Sequence, residues 1–143
     1  MAFKKIVVAY DGSDHAKNAV RVASDLAKAF GAKLYIVEVV DTAAMLGMGL
    51  APIPAEVINQ IYDKARKDVN EGQQLAKSLG VTDVEGQVLE GDPATSIIEF
   101  ASKNGADLIV TGSRGLSTFK RVLLGSVSTK IVQESRIPVL VVK

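Results

Sequence analysis

Between Thr111 and Ser128 the chain reads TGSRGLSTFKRVLLGSVS, a stretch whose glycines and hydroxyls suit one task, holding an anion. Gly112 and Gly115 let the backbone turn tightly and approach a ligand without a Cβ in the way. Their amides can turn inward as a nest for negative charge. Gly125-Ser126 stands where a last helix is expected to begin, and free amides with the helix dipole favour a phosphate there. The hydroxyls of Ser126 and Ser128 can add direct hydrogen bonds. The chemistry implied is phosphate binding, and the pieces converge only if the segment between the glycines folds back.

Other candidates carry less. Asp11 opens Asp-Gly-Ser-Asp, which reads as a turn with Asp14 as N-cap of the following helix. His15, the one histidine, has no partner for a metal site and is expected to face solvent. Lys120 and Arg121 read as a solvated helical face. Gly47-Met48-Gly49 lacks the third glycine of a dinucleotide fingerprint, and there is no Gly-x4-Gly-Lys-Ser/Thr. Gly112-Ser113-Arg114-Gly115 has the outline of an RNA-binding GXXG loop, but that loop joins two helices and this one follows a strand.

The elements that must position these residues show in the hydropathy pattern. Short β-branched runs lie at Ile6–Tyr10, Leu34–Val40, Leu108–Val110 and Val139–Val142, with a weaker, alternating one at Val84–Leu89. Their continuity predicts strands covered on both faces. Ala16, Ala19, Val20, Ala23, Leu26, Ala27 and Phe30 make one helical stripe, with Gly31 after it; Ile58, Ile61, Ala65, Val69, Ala76 and Leu79 make another, closed by Gly80. Asp92-Pro93 predicts a cap and first turn, with Ile97, Ile98 and Ala101 inward and Asn104-Gly105 at the end. A last helix is expected from near Ser126 to Glu134, with Val127, Ile131 and Val132 inward. The order βαβαβαβαβ predicts an α/β, doubly wound, five-stranded parallel sheet, with function beyond the carboxyl ends of the strands. Asp41 to Ala55, apolar yet rich in Gly and Pro, is expected to be a long mobile loop.

Composition bounds the rest. The 143 residues suit one domain, and 48% hydrophobic residues suffice for a core. Lys plus Arg number 17 against 16 Asp plus Glu, so nothing favours a general nucleic-acid or membrane-surface binder. No cysteine is present, which excludes disulfides and thiolate chemistry. No apolar stretch approaches a membrane span or a signal h-region, so a cytoplasmic location is expected.

The spacing Gly-x2-Gly-x9-Gly-Ser resembles the ATP-binding signature of the universal stress protein family, and the opening Ile-Val-Val-Ala-Tyr-Asp-Gly-Ser and closing Ile-Pro-Val-Leu-Val-Val are similar to that family's ends. The resemblance covers the whole chain, as a single domain over residues 1–143. It implies the adenine-nucleotide alpha-hydrolase-like fold with sheet order 3-2-1-4-5, and ATP over the ends of the first and fourth strands. Carried over by position, it puts Ala9, Tyr10 and Asp11 at the adenosine end, Val39 near the adenine, and Thr111 and Gly112 on the ribose side. Ser113, Arg114, Gly115, Gly125, Ser126, Val127 and Ser128 would surround the phosphates, bridged by Mg2+ or Mn2+. The family has a branch without the glycine signature; this chain keeps every glycine of it and Ser126.

The expected function is an ATP-binding stress-response switch. No general base or Walker lysine is identifiable, so at most slow hydrolysis or autophosphorylation is expected. The alternative is a dimeric interaction module, in which an edge strand Val139, Leu140, Val141 and Val142 pairs with its copy, as the resemblance also implies. A phospho-receiver domain fits poorly: the paired acids after the first strand and the helix after the fifth are missing.

Overall fold

The computed structural model describes residues 3–46, 52–114 and 124–143. Five strands, β1 (Lys5–Ala9), β2 (Lys33–Val40), β3 (Val84–Glu90), β4 (Leu108–Gly112) and β5 (Val139–Val142), alternate with helices. Those helices are α1 (Asp14–Phe30), α2 (Thr42–Leu46), α3 (Ala55–Ser78), α4 (Pro93–Lys103) and α5 (Ser126–Glu134). Every strand pairing is parallel and the sheet order is β3-β2-β1-β4-β5. The chain runs outward from β1 to β3, then returns to lay β4 against the other side of β1. The reversal leaves a crevice where the carboxyl ends of β1 and β4 diverge.

Burial explains why continuous apolar runs became strands. Ile6, Val8, Leu34, Ile36 and Val110 face α1 and α3, packing on Ala16, Ala19, Val20, Ala23, Ala27 and Ala76. Val7, Tyr35, Val37 and Ile109 point the other way, against Ala94, Ile97 and Ala101 of α4 and Ile131 of α5. The alanines of α1 let that helix lie close to the sheet. All five residues of β4 are buried, so the strand that delivers the glycine loop is rigidly held. β3 is an edge and alternates between exposed and half-buried residues. Among the described residues no helix is long and apolar enough to cross a membrane.

Several local expectations change. Ser13, not Asp14, caps α1: its side chain accepts from the Ala16 amide, while Asp11 accepts from the Ser13 amide across the turn. Phe30 is exposed and meets Phe3 edge-on at 5.3 Å between ring centres. In α5 only Ile131 of the predicted apolar face points inward. Val127 and Val132 are exposed. The segment expected as a loop from Asp41 begins with α2, started by Asp41 accepting from the Ala44 amide. Residues 47–51 of that apolar run lie outside the described ones.

Asp92 connects two helices on the face that carries the crevice. It caps α4 by accepting from the Thr95 amide at 3.0 Å and pairs with Lys130 of α5 at 2.9 Å. The bond to Lys130 first, then those to Thr95, hold its carboxyl down at about 2. Asp92→Ala should cost about 0.5–2 kcal/mol, the usual scale for a lost N-cap, since the exposed ion pair adds little through solvent. The folded carboxyl titrates below its ordinary value of 3.8. The wild-type advantage should therefore be full above that pH and vanish as pH falls through about 2, which urea unfolding of both proteins across acid pH will check.

Candidate functional site

The crevice between β1 and β4 is a cleft of about 320 Å³. Its floor is the strand ends. β1 and its turn supply Ala9, Tyr10 and Asp11; β2 supplies Glu38 and Val39; β4 supplies Thr111 and Gly112, with Arg114 just beyond. Gly125, Ser126, Val127 and Ser128 close the far side from the start of α5. The two halves of the glycine pattern are thus adjacent in space, although residues 115–124 separate Arg114 from Gly125 along the chain.

Hydrogen bonds fix that adjacency. The Gly125 amide donates to the Ser113 carbonyl at 2.6 Å, and Ser128 Oγ donates to the Gly112 carbonyl at 2.6 Å. Ser128 Oγ is then free to accept from Thr111 Oγ1, 3.1 Å away. The Ser113 amide donates to Val142 of β5 at 2.7 Å, anchoring the turn to the sheet edge. Gly112 sits in ordinary strand conformation, so space rather than backbone angle demands a glycine. A Cβ there would meet the carbonyl carbon, Cβ and oxygen of His15 at 2.9 Å.

Gly125 is the N-cap of α5, in extended conformation and with no side chain to cap the helix. A mid-helix glycine would have been costly; an N-cap glycine is well tolerated. The amides of residues 126–128 have no preceding turn to accept them, and the N-cap has no side chain to do so. They and the positive end of the helix dipole stand at the cleft wall. Ser126 is exposed at the first helical position, while Ser128 is buried with its proton committed to Gly112. The hydroxyl expected of Ser128 toward a ligand is therefore engaged inward, and its place in the cleft rests on the rest of the residue.

Ser113 is the one described position of the expected set that does not line the cleft. It is buried, and its hydroxyl pairs with His15 Nδ1 at 3.1 Å. That contact also corrects the expectation that His15 faces solvent: it is half-buried between the start of α1 and the end of β4. Gly115, like Lys120 and Arg121, lies outside the described residues.

The cleft also carries residues that the motif did not signal: Ala16, Glu38, Lys64, Pro93 and Ile97. Ile97 and Pro93 come from α4, Ala16 from α1. Glu38 had a visible signal, the one charge inside the apolar run LYIVEVV. Burial pushes its carboxyl up to about 9, helped by a hydrogen bond to Asp68 and by that residue's charge; Lys64 opposes and Asp11 adds. Lys64 Nζ lies 2.7 Å from Asp68. The strand ends thus bring Asp11 and a carboxyl kept protonated by burial to the cleft, and α5 brings a helix amino terminus.

The family model described as "Universal stress protein family" matches residues 2–143. The universal stress protein MJ0531 of Methanocaldococcus jannaschii is 39% identical over 144 residues, covering 99% of this chain and 82% of that one. A crystal structure of a universal stress protein in complex with cAMP is 32% identical with a TM-score of 0.74, covering 99% of this chain and 98% of its own. A universal stress protein from Archaeoglobus fulgidus in complex with dAMP is 25% identical with a TM-score of 0.75, covering both chains completely at 100%. The shared fold is the adenine-nucleotide alpha-hydrolase-like one expected from the sequence.

The close approach of Gly112 to α1 gives a direct test of this geometry. Gly112→Ala should lower stability by about 1–3 kcal/mol, the cost of forcing a methyl group into filled space. The atoms it meets are largely backbone and cannot rotate away. Urea unfolding measures the loss, and amide shifts of Asp14 to Lys17 should report displacement of the α1 start.

Proposed function

The chain belongs to the universal stress protein family, and from that membership we propose that it is an ATP-binding regulatory protein whose cleft holds the nucleotide with its phosphates at the α5 amino terminus. One observation carries this reading. Helix amides left uncapped by Gly125 stand directly against the end of β4, within one cleft. Uncapped amides at a helix start are a ready-made anion site. Ala9, Tyr10, Asp11 and Val39 would take the adenosine end, Thr111 and Gly112 the ribose side. Arg114, Ser126, Val127 and Ser128 would face the phosphates, with Ser113 and Gly125 shaping the turn that presents them. The complexes with cAMP and dAMP seen in similar proteins support an adenine nucleotide as the ligand class.

Mg2+ or Mn2+ fits as a phosphate-bound ion. Among the described residues no group of three His, Asp or Glu side chains converges to bind a metal. Magnesium commonly takes most of its ligands from phosphates and water. Among the described residues the phosphate end offers no carboxylate or histidine placed as a general base, so hydrolysis or autophosphorylation would be slow at best. A switch whose state follows nucleotide occupancy suits such a site better than a metabolic enzyme does.

A second reading rests on β5. It is an edge strand with one neighbour, and Val139, Leu140, Val141 and Val142 are all only half-buried. A copy of the same strand would cover it as a two-fold dimer. This is compatible with ATP binding.

Calorimetric titration with ATP and Mg2+ should give saturable binding by the purified chain, and Ser126→Ala should weaken it by about 1–2 kcal/mol, the scale of a hydrogen bond to a charged group. Failure of ATP to bind at millimolar concentration would overturn the nucleotide reading. Light scattering should find a dimer at micromolar concentration; a monomer there would dismiss the β5 pairing.

A further inference from the structure

Glu38 is an anomaly that phosphate binding does not explain. It stands near the carboxyl end of β2, turned toward the α1 and α3 side of the sheet like Ile36 two residues earlier. Its Oε1 is shut off from solvent, and no donor among the described residues reaches it. An ionised carboxylate would leave that buried oxygen uncompensated. The groups facing it come from every side. α3 presents Lys64 and Asp68, the end of β1 presents Tyr10 and Asp11, and β3 sets apolar Val88 beside it. From α1, Ala16 lines the same cleft without charge. Three acids therefore meet one lysine, and that lysine already pairs with Asp68 at 2.7 Å. Asp68 is itself largely enclosed, its side chain 15% exposed, and lies over Gly12 of the β1 turn.

Resting on the nucleotide reading for its ligand, we propose that Glu38, as a neutral carboxylic acid donating its proton to Asp68, is a positioning residue that ties β2 to α3 and keeps this wall of the cleft in its binding shape. The proton makes one hydrogen bond out of what would otherwise be two repelling carboxylates. That bond holds Asp68, and through Asp68 the Lys64 side chain that lines the cleft. When Glu38 loses its proton, a buried charge faces Asp68 and Asp11, and the wall must part to hydrate it. The anionic ligand then meets a distorted and more negative site. Binding is thereby coupled to proton uptake, with affinity lost on the alkaline side. Burial places the midpoint at about 9. Lys64 and Tyr10 do not titrate in that window, because the bond to Asp68 holds the Lys64 ammonium up and burial raises the Tyr10 phenol.

The test is ATP calorimetry of the full chain from about pH 7 to about pH 10 in buffers of differing ionisation enthalpy. Wild type should lose affinity above its midpoint, approaching about tenfold per pH unit, and should take up protons on binding there. Glu38→Gln keeps a donor to Asp68 and should show no such pH dependence. Asp68→Asn should move the fall to lower pH. If Glu38→Gln follows the wild-type curve, the positioning role is wrong while the nucleotide reading stands. If no protein binds ATP at any pH, the nucleotide reading fails, and thermal unfolding judges Glu38. The folded carboxyl titrates above its ordinary value of 4.5. Wild-type stability should therefore decline as pH rises from there to about 9, a decline that Glu38→Gln should lack; equal declines overturn the proposal. The carbon-13 signal of the wild-type Glu38 carboxyl tests the same protonation without a variant: it should titrate near the raised midpoint, and titration near the ordinary value overturns the proposal.

Discussion

Two short bonds carry the architecture of the cleft: the Gly125 amide to the Ser113 carbonyl, and Ser128 Oγ to the Gly112 carbonyl. They satisfy carbonyls at the end of a fully buried strand, where an unpaired group would cost heavily. The same bonds bring the start of α5 to that strand end. Satisfying the backbone at the end of β4 thus also sets a helix amino terminus at the cleft. A side chain at Gly112 would push α1 away, and a capping side chain in place of Gly125 would cover the helix start with the protein's own oxygen.

Around this junction the charges are sorted by the sheet. Asp11 follows β1 and Glu38 lies near the end of β2, with α3 bringing Asp68 and Lys64 beside them. β4 ends in a turn and a helix amino terminus. The cleft therefore joins hydrogen-bonding groups from the ends of β1 and β2 with a helix amino terminus from α5. A ligand neutral and hydrogen-bonding at one end and anionic at the other matches that arrangement. Nucleotides have this form, as do the cAMP and dAMP held by similar proteins.

Much of this was legible in the sequence because it depends on local chemistry. Four of the five parallel strands announced themselves as short apolar runs, as strands covered on both faces do, while the edge strand β3 showed only a weaker alternation. The cap at Asp92 and the start of α5 at Ser126 were readable from short-range hydrogen-bonding rules. Resemblance supplied the sheet order, which propensity could not. The misreadings share a different cause. Val127, Val132 and Phe30 have the right period for an inward face, but how far each helix overlaps the sheet is set by tertiary contact. His15 looked like a solvent residue because its partner, Ser113, lies 98 positions away. Lys64 sits on a helix that offers no cue separating a cleft lysine from a surface one.

The sequence by itself determined that the chain builds a parallel α/β sheet and that glycines and hydroxyls cluster after its fourth strand. Those properties follow from side-chain type and period, which act over a few residues. Only the tertiary structure decided what each of them does. It set Gly112 against the backbone of α1, turned Ser128 inward, withdrew Ser113 to His15, and buried Glu38 against Asp68. Packing brings distant groups within a few ångströms, and at that range hydrogen bonding and desolvation, not residue identity, fix whether a group meets the cleft or holds its walls.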